Sequence, residues 1–123
     1  MLGLEETLVH STTFTSFEAK FSFIRKQIES GDSKEIFVNV RPGVVRFLKD
    51  VSKVYEVVIL STGPRYDAEQ VIEHLQVHSY TDHVLYRNAC KKHNDTYVID
   101  LRNLGRDVSR IVIVDSKPEL FQL

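Results

Sequence analysis

The chain has 123 residues, 42% hydrophobic and 27% charged, with a formal net charge of −1. That length suits one domain with one core, and the near-neutral balance excludes a global pull toward nucleic acid or an acidic membrane surface. A lone cysteine, Cys90, excludes an internal disulfide and suits a reducing compartment. No apolar run approaches the roughly 20 residues of a membrane span, and the N-terminus carries no signal-peptide pattern.

In chain order, "MLGL" (Met1–Leu4) reads as a short buried strand that runs into the polar "EETLVHS". The segment around 17–40 is ambiguous. Phe17, Phe21, Ile24 and Ile28 recur at helical spacing, yet Phe21 to Arg25 alternates like a strand, and "EIFVNV" after the turn "ESGDSK" reads as a second strand. "PGVVRFLKDVSKV" predicts a helix with Val44, Phe47, Leu48 and Val51 on its buried face and Pro42 near its start. "YEVVIL" (Tyr55–Leu60) is a continuous apolar run, the pattern of a strand buried on both faces. "PRYDAEQVIEHL" predicts a second helix that buries Ala68, Val71, Ile72 and Leu75, with Asp67 in its early turns. "RIVIVD" (Arg110–Asp115) repeats the buried-strand pattern.

Buried strands alternating with amphipathic helices imply a parallel sheet, and ligands in such sheets bind beyond the carboxyl ends of the strands. Three strand tips here are polar: Glu5, Glu6 and Thr7; Ser61 and Thr62; Asp115 and Ser116. Their convergence on one crevice is the physical argument for a site. The competing reading is that strand ends meet water and are polar for that reason alone. Other candidates have blander readings. Cys90 has no base partner in the sequence and reads as a structural thiol. His74 and His78 lack further ligands. Asp95, Asp100 and Asp107 suit capping or solvated positions. "RPG" (Arg41–Gly43) suits a loop anchor.

"LGLEETLVHS" resembles the "LDLDETLVHS" signature of the small C-terminal-domain phosphatases, or NLI-interacting-factor-like domains, of the haloacid dehalogenase superfamily. "VRPGVVRFLKDVSKVYEVVIL" and "YRNAC…YVIDLRNLGRDVSRIVIVDSKP" continue the likeness over nearly the whole chain. The resemblance implies an α/β fold: a Rossmann-like parallel sheet flanked by helices, with a flap hairpin at about 17–40 and an insert at about 77–109. It implies hydrolysis of phosphoserine or phosphothreonine in proteins with Mg²⁺. An aspartate would attack phosphorus, and a second carboxylate would protonate the leaving alcohol and activate water.

Carried over residue by residue, the nucleophile position is Gly3, which has no carboxylate. The acid/base position is Glu5, one methylene longer, or about 1.5 Å of extra reach, where a misplacement near 1 Å already costs about 100-fold. Thr7 keeps the family hydroxyl. Ser61, with Thr62 beside it, and Arg87 match phosphate contacts, Asp115 matches the metal-side aspartate, and Ser116 stands at its neighbour's place. The phosphate-binding lysine position is Ile99. Loss of both nucleophile and lysine makes physical sense, because removing one member of a buried ion pair alone costs about 3–5 kcal/mol.

The expectation is a single, degenerate domain over 1–123, short at both ends relative to the family because only Met1 and Leu2 precede Gly3 and the chain stops at Leu123 soon after the third strand; a fragment of a longer product and an unusually minimal domain are the two readings. It is expected to be inactive by the family mechanism, to hold Mg²⁺ weakly or not at all, and to act by binding a protein or phosphoprotein. A weakly active phosphatase and a structural subunit of a larger assembly, such as a mitochondrial import complex, are the alternatives. Cytoplasm or nucleus is the expected location, with mitochondria as the alternative.

Overall fold

The computed structural model describes residues 1–13, 19–26 and 31–121. Its centre is a parallel sheet of β1 (Leu2–Gly3), β5 (Val58–Leu60) and β6 (His83–Leu85), in the order β1-β5-β6. Backbone bonds extend the ladder past the strand ends, from Leu4 N–H to the Leu60 carbonyl (3.0 Å) and from Ser61 N–H to the Leu85 carbonyl (2.9 Å). β5 is shorter than the apolar run suggests: Tyr55 and Glu56 are exposed, and burial begins at Val57.

Residues 110–115 depart further from expectation. Arg110 ends a 3-10 turn, and residues 112–114 run parallel to β1 and share three bonds with it, from the Met1 ammonium to the Val112 carbonyl, Val114 N–H to the Met1 carbonyl, and Gly3 N–H to the Val114 carbonyl. Yet Val112 is 58% exposed and Val114 46%. The segment pairs on one side only, and among the described residues its valines are only about half covered. An apolar β-branched run records what a segment is able to bury, not what is there to bury it.

A second, antiparallel sheet in the order β2-β4-β3 is built from β2 (Val9–Thr12), β3 (Phe21–Lys26) and β4 (Ser33–Val40). Phe21 to Arg25 therefore follows its alternating pattern. Phe17 and Ile28, which the helical spacing invokes, lie outside the described residues. A small hairpin pairs β7 (Lys91–His93) with β8 (Thr96–Val98).

Helix α1 (Val44–Val51) starts behind Gly43, whose φ of 82° lies in the left-handed region that glycine enters without steric cost. It buries Val44 and Leu48, while Val51 is half-buried. Phe47 is a correction, because it is 43% exposed and faces a groove instead of the core. Helix α2 (Arg65–Leu75) begins after Pro64 and buries Ala68, Val71 and Ile72 as its spacing requires.

Two clusters form the core. The larger joins Leu2, Leu4, Ile59 and Val57 to Leu48, Val71 and Ile72 from the helices and Val38 from β4. The smaller lies on the other face of the sheet and packs Leu60 with Ile99 and Leu120. Full burial of each such side chain contributes about 1.5–3 kcal/mol. Cys90 packs at the rim of the smaller cluster, and burial pushes its thiol pKa up, as suits a structural role.

Candidate functional site

The turn after β1 is tight. Leu8 and Val9 N–H groups both bond the Leu4 carbonyl, Glu6 N–H bonds the Val9 carbonyl, and Glu6 adopts a positive φ of 63°. This geometry sends the chain straight into β2 and leaves Glu5 at the strand tip. The Arg41 Nε donates to the Thr7 carbonyl at 2.6 Å, so "RPG" clamps the turn as a loop anchor. The Thr7 Oγ1 is buried and has no partner among the described residues.

Glu5 accepts a short hydrogen bond from the Ser61 hydroxyl at the tip of β5. Ser61 is fully buried, and its proton is committed to Glu5. Gly63 makes room for this pair, because a Cβ there would lie 2.8 Å from Glu5 Oε1. Thr62 is tied to Arg87, whose Nε donates to the Thr62 carbonyl at 2.8 Å while the guanidinium lies over the Tyr97 ring at 5.1 Å.

Asp115 comes to the same point from the third tip. Its Oδ1 accepts from Lys117 N–H at 2.9 Å, and its carboxylate lies over Gly3. A Cβ built on Gly3 would fall on that carboxylate, 2.6 Å from its Cγ. Burial pushes the Asp115 pKa up. The Lys117 N–H and charge pull the other way, and repulsion from Glu5 adds to the rise. Ser116 is exposed. Ile99 is 1% exposed in the smaller core cluster, so apolar packing stands at the lysine position.

Sequence reasoning missed one contributor. Arg25 of β3 pairs with Asp67 of α2 at 2.6 Å. Burial pushes the Asp67 pKa up against the pull of Arg25, and the charge on Glu5 raises it further, so this pair belongs to the surroundings of Glu5. Asp67 was readable only as an early-turn acid of α2, without its partner. A contact across 42 positions leaves no local signal.

A groove of about 460 Å³ lies between the turn at Glu6–Leu8, the start of α1, and residues 114–116. Glu6, Thr7, Arg41, Phe47, Val114 and Asp115 are among its walls, whereas Glu5 and Ser61 are not.

The Mg²⁺ that the resemblance implies does not fit these residues. Magnesium needs a near-octahedral shell of oxygens. Residue 3 offers no side chain, Glu5 is engaged with Ser61, and Asp115 is turned over Gly3. Among the described residues no group of three or more His, Cys, Asp or Glu side chains is arranged to hold a metal ion.

The parallel sheet, the turn of carboxylates after its first strand and the polar tips beside it define an α/β protein of the haloacid dehalogenase type. Solved structures agree on the fold. Fission yeast RNA polymerase II CTD phosphatase Fcp1 bound to beryllium fluoride superimposes with a TM-score of 0.77 at 22% identity, over 98% of this chain and 37% of that one. The NLI interacting factor-like phosphatase family matches residues 1–123, and the chain belongs to that family. Its relatives include a probable C-terminal domain small phosphatase of Dictyostelium discoideum, 32% identical over 98% of this chain and 39% of the relative. The mitochondrial import inner membrane translocase subunit TIM50 of Phytophthora infestans is 34% identical over 100% of this chain and 25% of the relative. The chain thus spans well under half the length of these relatives. No helix among its described residues is long and apolar enough to cross a membrane.

Proposed function

We propose that the chain is a non-catalysing member of its phosphatase family that acts by binding a protein or phosphoprotein partner. The observation that carries this reading is Gly3. Attack on phosphorus needs a carboxylate at that strand position, and glycine has no atom to attack with. Ile99 supports the same reading, since an apolar residue packed in the core supplies no charge to a phosphoryl group. Glu5 keeps the acid/base position but has no nucleophile to serve. Phosphate recognition, if retained, rests on Arg87 and Thr62 at the rim, because the Ser61 proton is already given to Glu5.

A Mg²⁺-supplemented assay on a phosphoserine peptide is expected to show no turnover. Turnover abolished by Glu5→Ala would overturn the reading. For recognition, a phosphoserine peptide is titrated against its unphosphorylated form. Tighter binding of the phosphorylated peptide, lost in Arg87→Ala, is the expected result, and equal affinities remove phosphate from the proposal.

The likeness to a translocase subunit favours a second reading, a structural component of a larger assembly. That reading expects partner binding indifferent to phosphate and to Arg87→Ala. Cytoplasm or nucleus suits the first reading, and mitochondria suit the second.

A further inference from the structure

We propose that Gly3 and Asp115 form one interlocked unit, in which the Asp115 carboxylate fills the volume beside Gly3 and closes the strand-tip site to Mg²⁺. Whatever the chain binds at this site, it binds without a divalent cation. The inference shares its starting point, a glycine at position 3, with the non-catalysing reading and deepens it.

The interlock follows from the backbone. Gly3 N–H bonds the Val114 carbonyl at 2.9 Å, which fixes residue 115 beside residue 3. The Asp115 side chain then crosses the Gly3 Cα. Any larger residue would put its Cβ on the Asp115 Oδ2 and 2.6 Å from its Cγ, closer than real Cβ contacts come. Glycine alone permits this position of the carboxylate. The carboxylate is held there by the Lys117 N–H. To serve a metal ion from beside residue 3 it would have to turn off the Gly3 Cα, with its Oδ1 still held by Lys117 and Glu5 Oε1 held by the Ser61 hydroxyl. Each of these two carboxylates has one oxygen engaged elsewhere, and among the described residues no third ligand joins them in an oxygen shell.

A double-mutant cycle with a metal titration tests this on the 123-residue chain. Gly3→Ala is expected to lower Tm by about 5 °C, since the methyl group displaces the carboxylate. In an Asp115→Ala background the same change should cost little. In Asp115→Asn, which keeps the volume and removes the charge, the cost should return. Additive effects in the two backgrounds would overturn the interlock. If Asp115→Ala does not fold, Asp115→Ser supplies the smaller side chain, and a cost equal to that in Asp115→Asn would overturn it likewise.

The unmodified chain should show no Tm shift at ~10 mM MgCl₂ against a NaCl control of equal ionic strength. Stabilisation by Mg²⁺ would overturn the closed site. If it came without peptide turnover, the non-catalysing reading would stand. Turnover in EDTA would overturn that reading and leave the closed site standing.

Discussion

Glu5 and Ser61 show how a site that keeps its carboxylate comes to use it structurally. The Ser61 hydroxyl is fully buried and donates to Glu5, so each group satisfies the other at the tip of the sheet. Removing the donor leaves the carboxylate with an unmet acceptor in a half-buried place, which typically costs about 1–3 kcal/mol. Ser61→Ala should therefore lower the urea midpoint by that equivalent. Glu5→Gln should fall between it and the unmodified chain, because an amide oxygen still accepts the bond. Equal stability of Ser61→Ala and the unmodified chain would mean that the pair contributes nothing.

Much at this scale was legible in the sequence. Gly3, Glu5 and Ile99 were read as departures by motif position, and Asp115 as a neighbour of the first strand tip. The direction of the Asp115 carboxylate was not legible. It depends on the volume beside Gly3, which appears only once residues 3 and 114 are hydrogen-bonded.

Among elements, β3 is fastened to α2 by contacts of three kinds. Arg25 pairs with Asp67, the Tyr66 hydroxyl donates to the Ile24 carbonyl at 3.1 Å, and the rings of Phe21 and His74 stack at 4.5 Å. None had a sequence signal. Period-two alternation identified the strand, but which helix would receive it is decided by the whole fold. Arg25→Met would leave Asp67 charged and largely buried without its partner. Breaking such a pair in a deep interior costs about 3–5 kcal/mol, and partial exposure here reduces the expectation to about 2 kcal/mol. Chemical denaturation should show that loss. The double variant Arg25→Met, Asp67→Leu should recover most of it, because no buried charge remains. Failure of the double variant to recover would assign the cost to the strand and not to the ion pair.

The turn after β8 offers a pH test. Arg102 grips both oxygens of Asp100 at 2.8 and 2.7 Å and also donates its backbone N–H. This holds the Asp100 pKa at about 2, below its ordinary 3.8, chiefly through the Arg102 side chain. A depressed folded pKa means that the unfolded chain takes up the proton first. The stabilisation is therefore present above 3.8 and lost as pH falls through about 2. Asp100→Asn should lower Tm at neutral pH, and the gap from the unmodified chain should close on acidification over that window. A gap independent of pH would show that the carboxylate charge is not what Arg102 holds.

The whole molecule is asymmetric about its parallel sheet. Helix α2 and the antiparallel sheet help build the larger core, and the smaller cluster packs the opposite face. The edge at 110–115 has no such cover among the described residues. Val112 and Val114 stand exposed, and the Ile113 N–H and carbonyl have no hydrogen-bond partner among the described residues. An uncovered edge with β-branched residues and unpaired peptide groups is a template for another strand. Phe47 and Val114 line the adjacent groove, which extends the apolar surface. Natural edges carry charge, proline or a bulge against such pairing. Here Arg110 and Asp115 bracket four apolar residues with nothing between them to break the run. Light scattering should therefore show association that rises with protein concentration. Val112→Lys should suppress it with little change in the denaturation midpoint, since that side chain is already 58% exposed. Val57→Lys, at a buried position immediately before β5, should instead destabilise the fold. Association that survives Val112→Lys together with Val114→Thr would place the sticky surface elsewhere.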